Sequence, residues 1–300
     1  MSRHLLGFVP IAALAVAAAG AGVAAQPQTR TIYVSVLAAD GTPVTDLNGA
    51  DFGIKDGGKA CEIVKAEVTS APMHVAIIVD DNGTGFFRAG VATFINKLNG
   101  HARFAISQVY GQTQKLTDFT TDMDVLSAAV GRINARPATN EGGQLLEAIY
   151  EYSRQMEKME TQRPVIVALT VGGEEHSTRD PRQTLEQLQK SAAILHVVQV
   201  AGTTLRPTAP TSKPSDLLEG NMSLGEVLGD GPKQSGGRRA EVVATNGLVP
   251  QLQNMAEAML RQYAVTYTLP AGAKPTGRLS VSLNNKKGLT LVAPTRVPAR

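Results

Sequence analysis

"HVAIIVDDNGTGFF", residues 74–87, carries the reading that decides the fold. Val75 to Val79 is an unbroken apolar run, with one alanine in it, that ends on Asp80. Asp81, Asn82, Gly83 and Thr84 follow before helical spacing starts near Phe87. A short apolar run closed by turn residues reads as a strand buried on both faces, the kind a parallel sheet uses. In open parallel sheets ligands gather outside the carboxyl ends of the strands. Asp80, Asp81, Asn82 and Thr84 leave the strand at that place and are therefore candidate binding residues.

Downstream the rhythm alternates between strands and helices. "FFRAGVATFINKL" sets Phe87, Val91, Phe94, Ile95 and Leu98 on one helical face, and "MDVLSAAVGRI" does the same with Leu126, Ala129, Val130 and Ile133. "RFAISQVY" and "QTQKLTDFT" read as a hairpin, "PVIVALT" and "AILHVVQV" as buried strands. "GGQLLEAIYEYSRQMEKM" buries Leu145, Leu146, Ile149 and Met156, and Pro181 opens the helix "PRQTLEQLQKSA". This pattern predicts an α/β fold with a doubly wound, mainly parallel sheet over residues 73–268.

Both ends of the chain depart from that rhythm. Residues 1–25 have a short polar start, an apolar stretch and a small-residue ending at Val23-Ala24-Ala25, which reads as a signal peptide cleaved after Ala25. A retained membrane anchor is the rival reading. Residues 26–72 alternate like strands around turns at Asp40-Gly41 and Asp56-Gly57-Gly58. Residues 269–300 hold two further strands, with Leu279, Val281 and Leu283 on one face, expected to pack on the N-terminal segment. Residues 203–240 are rich in Pro, Gly and Ser and predict a flexible surface insertion.

Composition excludes several function classes. Aromatic residues make up 4% with no Trp, which argues against a stacking platform for single-stranded nucleic acid. The net charge is only +3 and the basic residues are scattered, so nucleic acid is not an expected partner. Cys61 is the sole cysteine, so neither an intramolecular disulfide nor a cysteine metal site can form; a small hydrophobe buried in a strand is its expected role. The five histidines show no zinc-hydrolase spacing, and Glu174-Glu175-His176 reads as a solvated loop. No Gly-x-Ser-x-Gly elbow, P-loop or dinucleotide fingerprint is present. No enzyme is expected, and no cofactor.

The order of these segments resembles the von Willebrand factor type A domain, in its bacterial exported branch. The leader "VSVLAADGTPVTDLNGADFGIKDGGKACEI" and the ending "AEAMLRQYAVTYTLP…GRLSVSLNNKKGLTLVAP" are similar to the segments flanking that domain, and the likeness covers residues 30–300 apart from 203–240. The resemblance implies a metal-ion-dependent adhesion site built from Asp-x-Ser-x-Ser, a Thr and a second Asp. Here Asp80 is kept, Asn82 and Thr84 stand for the serines, Gly143 stands for the Thr and Val171 for the Asp. A site altered in this way is degenerate, and no bound metal is expected. An Asp-rich turn capping the next helix through Asn82 or Thr84 is the plainer alternative.

The functional expectation is an exported module, periplasmic or secreted, that binds a protein partner. Its contact face is expected at residues 80–86, 139–144 and 171–177, with Glu141 joining the candidate binding residues. A metal-dependent adhesion protein is the first alternative, and a hydrolase lidded by residues 203–240 the second.

Overall fold

The computed structural model describes residues 28–133, 143–201 and 214–299. The expected signal segment and Glu141 lie outside the described residues. The chain opens with β1 (Thr29–Leu37), β2 (Phe52–Asp56) and β3 (Lys59–Val68), then enters the apolar strand β4 (Met73–Asp80). After helix α1 (Arg88–Lys97) come the hairpin β5 (Ala102–Tyr110) and β6 (Gln112–Thr120), then α2 (Met123–Gly131) and α3 (Leu145–Lys158). β7 (Pro164–Thr170), α4 (Pro181–Ser191), β8 (Ile194–Val200), α5 (Pro214–Ser235), β9 (Arg239–Val242) and α6 (Leu248–Leu260) complete the alternating part. The chain closes on β10 (Tyr263–Thr268), β11 (Leu279–Leu283) and β12 (Thr290–Val292).

Six strands form the first sheet in the order β6-β5-β4-β7-β8-β9. β4 pairs in parallel with β5 on one side and β7 on the other, while β6 runs antiparallel at the edge. The period of two along β4 divides its side chains between two cores. Val75, Ile77 and Val79 pack with α1, α2 and α6. Ala76 and Ile78 pack with α3, α4 and α5. Burial on both faces is why Val75 to Val79 carry no polar side chain before Asp80.

The second sheet runs β11-β2-β3-β10-β1-β12 and joins both ends of the chain. β1 pairs antiparallel with β10 and β12, and β2 with β11. Its own core holds Val34, Val36, Phe52, Ile54, Val265 and Tyr267. Arg163, just before β7, ties the two sheets together. It donates to the carbonyls of Ala71 and Met259 and to Gln262 Oε1, and its guanidinium lies 5.2 Å from the Tyr33 ring centre. Burial of the guanidinium lowers its pKa to about 10, and the Met259 carbonyl at the end of α6 helps compensate the charge.

Two expectations are corrected. Residues 214–235, expected within a flexible insertion, form α5, and 239–242 add β9 in parallel beside β8. Leu224, Val227 and Leu228 recur at helical spacing and are buried against the sheet, so packing overrides the low helix propensity of the glycines. One of those glycines is required: a β-carbon at Gly220 would collide with the carbonyl oxygen of Glu175. Cys61 lies in β3, as expected of a strand residue, but is half-exposed rather than buried.

Candidate functional site at the carboxyl end of β4

The sheet ends here as a row of polar residues. Asp80 closes β4 and pairs in register with Thr170, which closes β7. Thr170 donates its hydroxyl to Asp80 Oδ2 at 2.7 Å and accepts from the Gly172 backbone at 2.9 Å. Val171 donates its backbone N–H to the Asp80 carbonyl at 3.0 Å. Desolvation, with a smaller contribution from the charge of Asp81, pushes the Asp80 carboxyl up to about 6, against the lowering effect of the Thr170 hydroxyl.

Asp81 points the other way. It is fully buried and accepts from Gly83 N at 3.0 Å, Gly85 N at 2.8 Å and Gln108 Nε2 at 3.2 Å. It folds the loop and offers nothing to a ligand, which corrects its expected binding role. Its backbone carbonyl also accepts from Thr84 N at 3.0 Å. Asn82 takes the left-handed conformation, φ 48°, which a short polar side chain tolerates better than most. Thr84 and Asn82 are half-exposed beside Asp80. Neither caps the next helix: α1 has Phe87 at its N-cap position and no side-chain cap, and the Asp81-centred turn leads into it instead.

Two further loops close over Asp80. Gly143 exchanges backbone bonds with the β7–α4 loop, donating to the Glu174 carbonyl at 2.8 Å and accepting from His176 N at 2.7 Å. Glu175 was expected in solvent, yet it is only 2% exposed. Its carboxylate accepts from Leu145 N at 3.0 Å, Leu146 N at 3.3 Å and Ser177 N at 3.3 Å, capping α3 from another element. Desolvation first, and the nearby Asp80 charge second, push Glu175 up to about 8. His176 sits 3.3 Å from Glu174 Oε2 at the rim. Glu175 falls inside the expected contact face 171–177, but its role as a buried cap was not foreseen, and Thr170 and Gln108 were missed; for Thr170 the signal available was a polar residue closing a buried strand.

No family model matches the sequence, and no match to it is found among the curated proteins. Among solved structures the chain is similar to a von Willebrand factor type A protein from Catenulispora acidiphila, at 12% identity and TM-score 0.44, over 91% of this chain and 75% of that one. It is also similar to proximal thread matrix protein 1 from the mussel byssus with a zinc-occupied adhesion motif, at 12% identity and TM-score 0.46, over 69% of this chain and 49% of that one. A third likeness is to an aerotolerance-related membrane protein of Bacteroides fragilis, at 12% identity and TM-score 0.43, over 62% of this chain and 98% of that one.

The type A pattern implies a divalent metal, and the residues in its places do not fit one. Val171 replaces a carboxylate and is 3% exposed within the apolar core. Gly143 brings no hydroxyl. One Asp80 oxygen is already engaged by Thr170. A hard cation that dehydrates reluctantly needs near-octahedral oxygen ligation, and an apolar wall on one side removes both charge and geometry. Among the described residues no group of three or more His, Cys, Asp or Glu side chains is placed to hold a metal ion.

Proposed function

We propose that this chain is an exported type A interaction module that binds a protein partner through the carboxyl-end face of its parallel sheet, without a divalent metal and without catalysis. Numbered from β4, the first sheet has the strand order 3-2-1-4-5-6, which supports reading it as doubly wound with a switch point between β4 and β7. Asp80 and Thr170 stand at that point. The observation that carries the reading is the Thr170 hydroxyl seated on Asp80 Oδ2 beside the buried Val171, where the type A pattern asks for open ligand oxygens.

The same face exposes apolar surface suited to a protein partner. Phe86 follows the Asp81 loop at 38% exposure. Leu218 and Met222 are 63% and 67% exposed on α5, on either side of Gly220 and Asn221, which meet the Glu175 backbone. Phe and Met are among the residue types enriched at the cores of protein interfaces. An envelope or extracellular location rests on the apolar N-terminal stretch of residues 1–25.

The test is capture of partners from the envelope fraction of the source cells by the purified chain, in EDTA and in magnesium. Equal capture in both, lost in Phe86→Asp and Met222→Asp, supports the proposal. Capture that needs magnesium favours the metal-dependent adhesion reading, and capture indifferent to both substitutions puts the interface elsewhere.

A further inference from the structure

A cavity of about 290 Å3 lies between the two sheets, far from the Asp80 loop in the fold. Leu185 and Leu188 of α4 and Ile194 of β8 give it an apolar wall. Arg30 and Tyr267 of the second sheet and Arg296 of the C-terminal tail line the other side, and no Asp or Glu lines it. We propose that this cavity binds a small carboxylate with a short apolar body.

The tail makes the cavity. Thr295 and Arg296 donate their backbone N–H groups to the Gln234 carbonyl at 3.0 Å, tying the tail to the end of α5. Val297 donates to Gly277 at 3.1 Å, and its own carbonyl accepts from Gln189 Nε2 of α4 at 2.8 Å. Arg30 of β1 donates to the Pro298 carbonyl at 2.5 Å. The tail is therefore a strap anchored to both layers, and the space beneath it is held open by its own hydrogen bonds.

Charge and size select the ligand. Arg30 is already committed to the strap, whereas the Arg296 guanidinium forms no hydrogen bond or ion pair among the described residues. One free guanidinium fork reads one carboxylate in bidentate fashion. Burial pushes the Tyr267 phenol up to about 12, so it stays a neutral hydroxyl at the cavity wall. The volume holds roughly ten water-sized groups, which matches an eight-carbon acid and falls at the small end of ligand sites.

The test is isothermal titration of the full chain with octanoate, octanol and phenyl phosphate. Octanoate binds, octanol binds at least tenfold more weakly, and Arg296→Gln weakens octanoate at least tenfold. Leu185→Trp, which fills the apolar end, removes binding while the circular dichroism melt stays within a few degrees of the native chain. No octanoate binding, equal binding of octanol, or an Arg296→Gln variant that binds as well as the native chain overturns the proposal. So does binding of phenyl phosphate in preference to octanoate, which would assign the site to phosphate instead.

Discussion

Gly143 faces Asp80 so closely that a β-carbon on it would lie 3.1 Å from the aspartate Oδ1. A side chain at 143 would therefore enter the shell of Asp80, as the threonine of the type A pattern requires. The lost ligand is a loss of side chain and not of position. The double variant Gly143→Thr, Val171→Asp should acquire manganese binding that the native chain lacks, read as a metal-dependent rise in melting temperature. Val171→Asp alone should cost more than ~2 kcal/mol in urea unfolding, because it buries an unpaired charge. A double variant that stays blind to manganese would show that these loops no longer converge on one ion.

Glu175 holds the start of α3 from a different segment of chain. Glu175→Ala should destabilise the fold by about 1–3 kcal/mol, the cost of leaving buried helix N–H groups without an acceptor. Hydrogen exchange at Leu145 and Leu146 should accelerate more than at the centre of β4. A change under ~0.5 kcal/mol would mean water replaces the carboxylate without loss.

Stability should fall as pH rises from about 4 to 8. Folded Glu175 is pushed up to about 8 from an ordinary 4.5, and folded Asp80 up to about 6 from 3.8. Across that window the unfolded chain has released protons that the folded chain keeps, so rising pH favours unfolding. Asp40, Asp51 and Glu257 are held below their ordinary values, so their contribution is lost only as pH falls. The difference between native chain and Glu175→Gln isolates the first effect. Between pH 6 and 8 the native chain should lose on the order of 1–3 kcal/mol that Glu175→Gln keeps. Parallel profiles would mean that the α3 N-terminus holds Glu175 ionised.

Helix α5 should behave as core. Leu228→Ala should cost about 2–5 kcal/mol, as removal of a buried leucine does. A cost below ~0.5 kcal/mol, typical of a surface loop, would restore the detachable insertion expected from composition.

The buried strands were readable because an apolar run such as Val75–Val79 has one physical explanation, and the helix stripes from Phe87 to Met156 appear in the core at their expected spacing. α5 was not readable, because glycine and proline were counted as breakers. Gly220 serves close packing against Glu175, and Pro232 falls in the last turn. Asp80 was legible as the polar end of a strand. Its neighbour Asp81 was not, since nothing local says which of two adjacent carboxylates turns inward to receive Gly83, Gly85 and Gln108. Glu175 was illegible for a similar reason: its partners are Leu145 and Leu146, about thirty residues earlier in the chain.

Asp80 shares one carboxyl oxygen with the Thr170 hydroxyl, and the proposed function has it anchor no metal. Thermal unfolding with and without millimolar magnesium or manganese tests that reading most directly. A ligand at about a hundred times its dissociation constant stabilises the native state by about 2.7 kcal/mol, so even modest affinity would be visible. Melts of the native chain in metal and in EDTA should superimpose, and Asp80→Ala should show no metal response. A metal-dependent rise in the native chain that disappears in Asp80→Ala would contradict that reading.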